Sequence, residues 1–410
     1  MASPALQLSE HRFGFPTPAY VPTRVAFGIG ALNAFDDVLA EVAEDHRARK
    51  ILLITGARSL AKPWQERVRA SVADYPHIVA ENRISNPTIA SISPILAAAR
   101  TAGIDLVVGI GGGSVLDTAK AVAGLLANGG ESLDYLEVVG RGRKLEKPSV
   151  PCIAVPTTAG TGSEVTRNSV LADPATGTKA SVRHEHLLPR VALLDPTLTH
   201  SLPREVTART GLDALIQLIE PYVSRRENPM IETLALEGIR RAARALPRAW
   251  ADGEDAAARA DMMLAALWSG MALAHCGLGA AHAFAGPLGG SFPIAHGMAC
   301  AATMPYVMAA NLRVAERSPG GAETIRRYAN VARAMGLPED TSDLATARGG
   351  VRRMDALCSE LGVPRLRAVG VTAEAIPDLV ARAKRTSSMQ ANPVDLGDED
   401  LTEILKQALG

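Results

Sequence analysis

Several features that would place this sequence in a specialised class of protein are absent or rare. Aromatic residues are 4% of its 410 residues, and 43 Lys plus Arg balance 43 Asp plus Glu. Without an excess of either charge, no overall field recruits nucleic acid or an anionic membrane. No apolar run is long enough to span a membrane, and residues 1–11 contain no basic region followed by an apolar core. We therefore expect a cytoplasmic protein without a nucleic-acid or membrane partner.

Cysteine is also rare, and its spacing excludes two common uses. The four cysteines form no CxxC pair: Cys152, Cys276, Cys300 and Cys358. In a chain of this length, that spacing argues against a zinc knuckle and against a disulfide framework. We interpret all four as buried thiols of a protein from a reducing compartment.

The length and the composition predict two domains. A chain of 410 residues is too long for one core, and 47% hydrophobic with 21% charged residues suits a well-buried enzyme. Strand signals stop near Leu202-Pro203, and the pattern beyond is helical. We predict an α/β, Rossmann-like nucleotide-binding domain over 1–202, with 1–20 as an arm, and an all-helical domain over 203–410.

The first domain is predicted from alternating strand and helix patterns. Apolar runs at 51–55 and 106–110 are typical of buried parallel strands. Between them, Ser93 as an N-cap and Pro94 in the first turn predict a helix that continues to about residue 102. In open parallel sheets of this kind, ligands bind at the carboxyl ends of the strands.

A glycine-rich turn follows the predicted strand at 106–110. Gly111, Gly112, Gly113 and Ser114 stand directly before an amphipathic helical pattern. Glycines let backbone N–H groups approach a phosphate closely, and a helix amino terminus adds about half a positive charge. The turn predicts a site for a coenzyme diphosphate. Its spacing is not GxGxxG, and a tight turn that binds nothing is the alternative.

Two charged residues follow within the same predicted helix. Asp117 and Lys120 lie about one turn inside it, close enough to reach back to the ligand. We assign Asp117 to the coenzyme site. Lys120 has a second interpretation, a solvated lysine on the helix surface.

A second polar loop follows the apolar run at 150–156. It begins with Thr157 and Thr158 and continues through glycines and hydroxyls to Glu164. Its hydroxyls suit donation to phosphate or ribose, and an ordinary loop with helix-capping threonines is the alternative. Two such loops after strands of one parallel sheet support each other as a single binding site.

A carboxylate and two imidazoles in the second domain form a candidate metal site. Asp213 and Gln217 share a helix face, whereas His282 and His296 are fourteen residues apart with prolines between them and cannot share a helix. One carboxylate with two imidazoles is a usual ligand set for a divalent metal, and Gln217 would add a weaker amide oxygen. Alternatively, Asp213 caps a helix and both histidines are hydrogen-bonded core residues.

These motifs, taken in order, resemble those of the iron-containing (group III) alcohol dehydrogenases. The resemblance runs from about Pro22 to the end of the chain. The motifs that carry it are Gly111-Gly-Gly-Ser114 with Asp117-Thr-Ala-Lys120, Pro156-Thr-Thr-Ala-Gly-Thr-Gly-Ser-Glu164, Gly211-Leu-Asp213-Ala-Leu215, the His282 and His296 pair, Asn86-Pro-Thr88 and Asn392-Pro-Val-Asp-Leu396. The resemblance implies a dehydroquinate synthase-like fold, hydride transfer between NAD or NADP and an alcohol or aldehyde, and a homodimer.

The resemblance also assigns the metal site. It makes Asp213, His282 and His296 catalytic ligands of a metal, Fe²⁺ or Zn²⁺, that polarises the substrate oxygen. The family usually has histidine where this chain has Gln217. An amide oxygen binds more weakly than imidazole, so we expect Zn²⁺ or a weakly held Fe²⁺, and relatives with one carboxylate and two histidines indicate that three ligands suffice.

Two further departures from the family affect the chemistry and the coenzyme. Many members have a proton-relaying histidine where this chain has Gly286, so water or another group, with His275 a distant candidate, takes that role. NAD-specific members often have aspartate after the first strand, where this chain has Gly56 with Arg58 nearby. We therefore favour NADP over NAD, and the resemblance also places Lys179 near the ribose.

The leading hypothesis is a metal-assisted NAD(P)-dependent alcohol dehydrogenase or aldehyde and ketone reductase. The alternatives are a maleylacetate reductase-like enzyme, a cyclase or lyase that uses its nicotinamide transiently as dehydroquinate synthase does, and a binding protein without turnover. The sequence does not identify the substrate.

Overall fold

The computed structural model of the protein describes residues 23–56, 63–82, 87–137, 140–173, 178–226 and 228–410, with only the main chain at residues 63, 173, 178 and 179. The expected arm at 1–20, Arg58, Asn86 and the side chain of Lys179 therefore lie outside the described part of the protein.

A six-stranded parallel sheet organises the amino-terminal part. The strands are β1 (Arg24–Phe27), β2 (Ile51–Gly56), β3 (His77–Asn82), β4 (Leu106–Gly111), β5 (Cys152–Pro156), β6 (Asn168–Asp173), β7 (Thr178–Arg183) and β8 (Val191–Leu194). Six of them form one sheet in the order β1-β8-β5-β4-β2-β3, and β6 and β7 form an antiparallel pair. Because every neighbouring pair in the larger sheet is parallel, its strands all end along one edge.

Helices cover both faces of this sheet. They are α1 (Phe35–His46), α2 (Pro63–Ala73), α3 (Ile89–Ala102), α4 (Gly113–Asn128) and the single turn α5 (Ser132–Tyr135). Along β2, Leu52 and Ile54 join the core that contains residues of α3 and α4, whereas Ile51 and Leu53 join the core that contains residues of α1 and α2. Successive side chains of a strand point to opposite faces, which explains why a continuous apolar run fits here.

The start of α3 differs from the prediction. The helix begins at Ile89, and its N-cap is Thr88, whose hydroxyl accepts a hydrogen bond from Ser91 N while Ser91 Oγ bonds back to Thr88 N. The predicted cap, Ser93, lies inside the helix, where its hydroxyl donates to Ile89 O. The prediction of Ser93 as the cap was wrong because the capping box of Thr88 and Ser91, five residues before it, satisfies the first N–H groups of the helix.

The carboxy-terminal part is helical. Its helices are α6 (Arg204–Val223), α7 (Pro229–Ala251), α8 (Ala256–Cys276), α9 (Ala280–Ser291), α10 (His296–Ala315), α11 (Gly321–Ala334), α12 (Asp343–Glu360), α13 (Ile376–Lys384), α14 (Ser387–Ala391) and α15 (Asp398–Leu409). No strand occurs among the described residues after β8. The predicted fold class, a Rossmann-like α/β part followed by an all-α part, is confirmed.

The helical core is formed around α6, which is buried over most of its length. Within the described ranges, no single helix has the length and apolarity to cross a membrane, although α8 and α9, which meet at 102°, pass that test as a pair.

Candidate active site

Four side chains of the types that bind metals converge from three helices. Asp213 lies in the middle of α6, His282 near the start of α9, and His296 and Cys300 in the first turns of α10. Their ligand atoms all lie within 4.8 Å of one another. His282 Nε2 is 3.5 Å and His296 Nε2 is 3.9 Å from Asp213 Oδ1, and Cys300 Sγ is 3.9 Å from His296 Nε2. The structure thus brings the predicted carboxylate and both histidines together, with a buried thiol beside them.

A glycine allows α10 to approach α6 closely enough to form this cluster. A Cβ atom placed on Gly297, the residue after His296, would lie 2.0 Å from Arg209 O and 3.0 Å from Asp213 Cβ. Packed interiors leave no room for such overlaps, so any side chain at this position would push the two helices apart. The distance between His296 and Asp213 therefore depends on Gly297.

A second carboxylate, Glu220, holds His282 in its orientation. Its side chain is 2% exposed, and Oε2 accepts hydrogen bonds from His282 Nδ1 at 2.6 Å and from Gly279 N at 2.8 Å. Oε1 accepts a third bond, from Ala281 N at 2.7 Å. Because Nδ1 donates to Glu220, the other ring nitrogen, Nε2, is directed at Asp213 and left for a ligand bond. The carboxylate also satisfies N–H groups at the start of α9, where negative charge is favoured.

Burial and neighbouring groups perturb two members of the cluster. Burial disfavours the charged form of His282, but the Glu220 carboxylate beside its ring outweighs burial, so the pKa of His282 lies well above its usual value. Burial raises the pKa of Cys300 to about 11, against the influence of His282. The Cys300 thiol therefore holds its proton at neutral pH, and a divalent cation would displace that proton on binding.

The predicted fourth ligand, Gln217, lies beside the cluster with its amide nitrogen toward Asp213. Its Nε2 is 3.5 Å from Asp213 Oδ2, and its Oε1 lies 3.3 Å from Ser269 Oγ, whose hydroxyl is closer to Ala266 O, at 2.7 Å. A carboxylate only accepts hydrogen bonds, which fixes this orientation of the amide. A role for Gln217 as a ligand stays a prediction.

The two loops predicted to bind the coenzyme are adjacent. Gly111 ends β4, Gly112 is the extended N-cap of α4, and Gly113 is its first residue. Thr157 N donates to Gly111 O at 2.9 Å. A Cβ atom on Gly112 would lie 3.4 Å from the Thr158 side chain, so the α4 amino terminus and the loop after β5 lie side by side. Ser114, the second residue of α4, stands in the same turn.

Asp117 and Lys120 hold these loops together. Asp117 accepts a hydrogen bond from Ser163 Oγ at 2.6 Å and one from Val170 N at 3.2 Å. Lys120 is 1% exposed, donates to Ser163 O at 2.8 Å and to Thr166 Oγ1 at 3.0 Å, and lies 3.3 Å from Asp117 Oδ1. Burial lowers the pKa of Lys120, and Asp117 opposes that shift. The interpretation of Lys120 as a solvated surface lysine is therefore wrong, and coenzyme binding by Asp117 stays a prediction.

The loop after β5 lies against the helices that hold the metal-ligand cluster. A Cβ atom on Gly160 would lie 2.8 Å from Thr210 Cβ, in the turn of α6 before Asp213. Ser269 Oγ lies 3.2 Å from Gly160 O and, as noted, also contacts Gln217. The candidate coenzyme loop and the candidate metal site are thus parts of one region between the sheet and the helices.

The remaining predicted residues are placed less directly. Gly56 ends β2, whose Thr55 pairs with Ile110, so Gly56 lies at the same sheet edge as the glycine turn. Lys179 lies on β7 by its main chain. A Cβ atom on Gly286, one turn after His282, would meet nothing within 4 Å. His275 lies near the end of α8, where its Nδ1 donates to Met271 O at 2.7 Å.

Sequence reasoning missed Glu220 and the position of Cys300, although both have a spacing signal. Glu220 follows Asp213 by seven residues and Cys300 follows His296 by four, so each shares a helix face with a predicted ligand. The types of residue alone did not distinguish them from an ordinary helical glutamate and a core cysteine.

The parallel sheet has a glycine-rich turn at its carboxyl edge, and a carboxylate and two histidines lie on helices next to it. These features indicate a dinucleotide-dependent enzyme with a candidate metal site. The family model for iron-containing alcohol dehydrogenases matches residues 22–196, and that for the carboxy-terminal part of the same family matches residues 207–409. The chain therefore belongs to the iron-containing alcohol dehydrogenase family, and it is an oxidoreductase that acts on CH–OH groups.

Individual relatives are similar over nearly the whole chain. Long-chain-alcohol dehydrogenase 1 of Geobacillus thermodenitrificans (strain NG80-2) is 35% identical over 98% of this chain and 97% of its own length. The NAD-dependent methanol dehydrogenase of Bacillus methanolicus is 33% identical over 96% of this chain and 100% of its own. Among solved structures, an alcohol dehydrogenase from Oenococcus oeni has 30% identity and a TM-score of 0.86, covering 95% of this chain and 98% of its own. The predicted family and class of reaction are confirmed.

Proposed function

We propose that the protein oxidises an alcohol, or reduces the corresponding aldehyde or ketone, with a divalent metal ion held by Asp213, His282 and His296. One observation carries this proposal: three helices bring a carboxylate and two imidazoles to a single point. Carboxylate and imidazole are usual ligands of Zn²⁺ and of Fe²⁺. We assign a small alcohol or aldehyde as the substrate.

The donor atoms of this cluster fit a metal ion. His282 Nε2 has no hydrogen-bond partner within the described residues, although its side chain is only 2% exposed. It lies 3.5 Å from Asp213 Oδ1, longer than the roughly 2.7–3.2 Å of a hydrogen bond. Two donors bound tetrahedrally to zinc, about 2.1 Å from each, are roughly 3.4 Å apart. The pair thus has the spacing of two ligands of one ion.

The chain's own residues supply orientation and access. When bound, the metal ion polarises the substrate oxygen and the nicotinamide exchanges hydride with the substrate carbon. Glu220 fixes the ring of His282 so that Nε2 stays directed at the metal position. His296 is 38% exposed, so the substrate reaches the cluster from the side of His296. No side chain stands at Gly286, so we assign proton exchange with the substrate oxygen to water.

The coenzyme is assigned to the edge of the sheet. The backbone N–H groups of Gly112, Gly113 and Ser114 at the start of α4 are suited to bind a diphosphate, with the hydroxyls of Thr157 and Thr158 beside them. Gly56 offers no carboxylate to repel a 2′-phosphate at the end of β2, and for this reason we favour NADP over NAD. If Gly56→Asp leaves the affinity for NADP unchanged while NAD binding also stays the same, this reasoning is wrong.

Domain limits and assembly are further parts of the proposal. We place the division between 1–202 and 203–410, in the connection between the end of β8 and the start of α6. We also propose a homodimer in the cytoplasm, where four buried free cysteines stay reduced. Sedimentation of the purified protein tests the dimer.

The central experiment is metal analysis of protein purified without chelator, combined with an activity screen of small alcohols and aldehydes with both coenzymes. We expect close to one equivalent of metal and steady turnover of NAD(P)H that EDTA abolishes. Asp213→Asn should lose the bound metal and the turnover of coenzyme. Asp355→Asn, at a half-exposed position on α12, should keep both the metal and the turnover. Less than about a tenth of an equivalent, with activity indifferent to EDTA, contradicts the metal assignment. Turnover without net coenzyme consumption would instead indicate a cyclase.

A further inference from the structure

The cluster contains a fourth side chain that can bind the same ion. We propose that Cys300 is a metal ligand and binds as a thiolate, so that the ion is held by Asp213, His282, His296 and Cys300. This proposal rests on the proposed function because it concerns the same ion, but its test does not depend on catalysis.

The geometry of α10 directs Cys300 to the metal position. Cys300 follows His296 by one helical turn, and residues four apart lie on one face of a helix. Its Sγ is 3.9 Å from His296 Nε2 and within 4.8 Å of the ligand atoms of Asp213 and His282. Around a tetrahedral zinc, with bonds of about 2.0–2.3 Å, neighbouring donors are roughly 3.3–3.8 Å apart. Binding therefore requires the donor atoms to move inward by roughly an ångström or less.

Burial shows which side of the ion Cys300 would occupy. Cys300 is fully buried, His282 and Asp213 are 2% and 5% exposed, and His296 is 38% exposed. The thiolate would thus bind from the closed side of the site. The side next to His296 would stay open to a substrate.

The amide at Gln217 is poorly suited to the same task. Its nitrogen faces the Asp213 carboxylate, and its oxygen points to the other side, 3.3 Å from Ser269 Oγ. To present the oxygen to the ion, the amide would have to rotate and place that oxygen near another oxygen. As it stands, the Gln217 nitrogen, 3.5 Å from Asp213 Oδ2, lies between its oxygen and the metal position, so Gln217 lies beside the ligands rather than among them.

The other thiols do not share this environment. Within the described residues, the ligand-type cluster at this site includes Cys300 and none of the other three cysteines. Cys358, for example, is buried on α12 and donates to Ala301 O at 3.5 Å. It serves as a matched control, a buried helical cysteine in the same part of the protein.

A thiolate changes the metal preference of the site. When the ion binds, the S–H bond breaks, a sulfur–metal bond forms and the proton passes to solvent, with no change of oxidation state. Thiolate is a softer ligand than carboxylate or imidazole and favours Zn²⁺ over harder ions. The loss of the family histidine at Gln217 is thereby offset by a ligand from another helix.

The test uses cobalt as a probe. We expect Co²⁺ added to EDTA-treated protein to give an intense near-ultraviolet charge-transfer band, which requires a sulfur–cobalt bond. Cys300→Ser should lose this band and bind Zn²⁺ at least about tenfold more weakly, whereas Cys358→Ser should keep both. X-ray absorption of the zinc-loaded wild type, which needs no variant, should show one sulfur neighbour at about 2.3 Å.

Each outcome has a definite meaning. Bound Co²⁺ without the band, a band that persists in Cys300→Ser, or only nitrogen and oxygen neighbours around zinc overturns the role of Cys300 and leaves the proposed function intact. A wild type that binds neither metal overturns the metal assignment together with Cys300. The charge-transfer band without dehydrogenase activity supports the thiolate ligand and counts against the proposed function alone.

Discussion

Glu220 offers the sharpest test of how the site is built, through the substitution Glu220→Gln. The carboxylate accepts three hydrogen bonds, from Gly279 N, Ala281 N and His282 Nδ1, at 2.8, 2.7 and 2.6 Å. Glutamine keeps the shape but replaces one oxygen with an NH₂ group. In the better of its two orientations, that NH₂ group faces the N–H of Ala281, so one buried donor loses its acceptor.

The expected magnitude follows from that count. A buried donor left unsatisfied costs about 1–3 kcal/mol, and the two remaining bonds lose the strengthening that charge provides. We expect Glu220→Gln to lower the free energy of unfolding by about 2–4 kcal/mol. Because the ring of His282 is held less firmly, metal affinity should fall roughly 10–100-fold. Coenzyme affinity should not change, since Glu220 has its hydrogen-bond partners in residues 279–282 and, among the described residues, none in the loops at the sheet edge.

Three measurements check these values. Urea denaturation in EDTA gives the change in stability, competition with a chromophoric chelator gives the metal affinity, and fluorescence titration gives the coenzyme affinity. Glu360→Gln, at an exposed position at the end of α12, is the control and should leave all three unchanged. If Glu220→Gln binds metal as tightly as the wild type, orientation of His282 by Glu220 does not contribute to the site.

Further predictions concern three other positions. Gly297→Ala should cost about 1–3 kcal/mol of stability and weaken metal binding, because its Cβ would overlap Arg209 O. Gly286→Ala has open space around it and should change stability by at most about 1 kcal/mol. Equal losses of stability in the two variants would contradict the packing of α10 on α6. Burial raises the pKa of Glu164 from 4.5 to about 7, so the folded state holds an extra proton between these values and stability falls as pH rises through that window. In Glu164→Gln, the decrease in the free energy of unfolding across this pH window should be smaller by up to about 3 kcal/mol, as measured by denaturation at several pH values. If the variant and the wild type show the same pH dependence, Glu164 ionises normally. Gly286→His should add an ionisation at about pH 6.5 to the pH profile of kcat and raise kcat at least about tenfold. If the variant and the wild type have the same kcat at every pH, a histidine at this position does not relay protons.

The sequence was sufficient for the fold because each signal was local. The run at 51–55 is apolar throughout and is buried on both faces of the sheet, which is the property that distinguishes a parallel strand from an exposed one. The glycine turn after β4 was likewise visible, since the strand, the turn and α4 are consecutive in the chain. The start of α3 was missed because two serine-containing caps, at Thr88 and at Ser93, competed within five residues.

The candidate site was predictable only in part, since it depends on contacts between distant segments. Asp213, His282 and His296 were found because their chemical types suit a metal and because the motifs around them resemble those of the family. Glu220 and Cys300 acquire their roles only when α6, α9 and α10 pack, because a carboxylate and a thiol on buried helices have many ordinary uses. Lys120 shows the same limit: only the fold reveals that its ammonium group is enclosed by the loop after β5.

The contact between Gly162 and Gly270 has a mechanical consequence. A Cβ atom on Gly162 would lie 2.5 Å from Gly270 Cα, and one on Gly270 would lie 2.4 Å from Gly162 O, so two main chains touch directly at this point. Main chains in such contact leave no space between them, so the loop after β5 and α8 are fixed to each other at this point. If the sheet moves relative to the helices, the loop after β5 would travel with α8, and β3, the edge strand farthest from β5 in the sheet, would be displaced most.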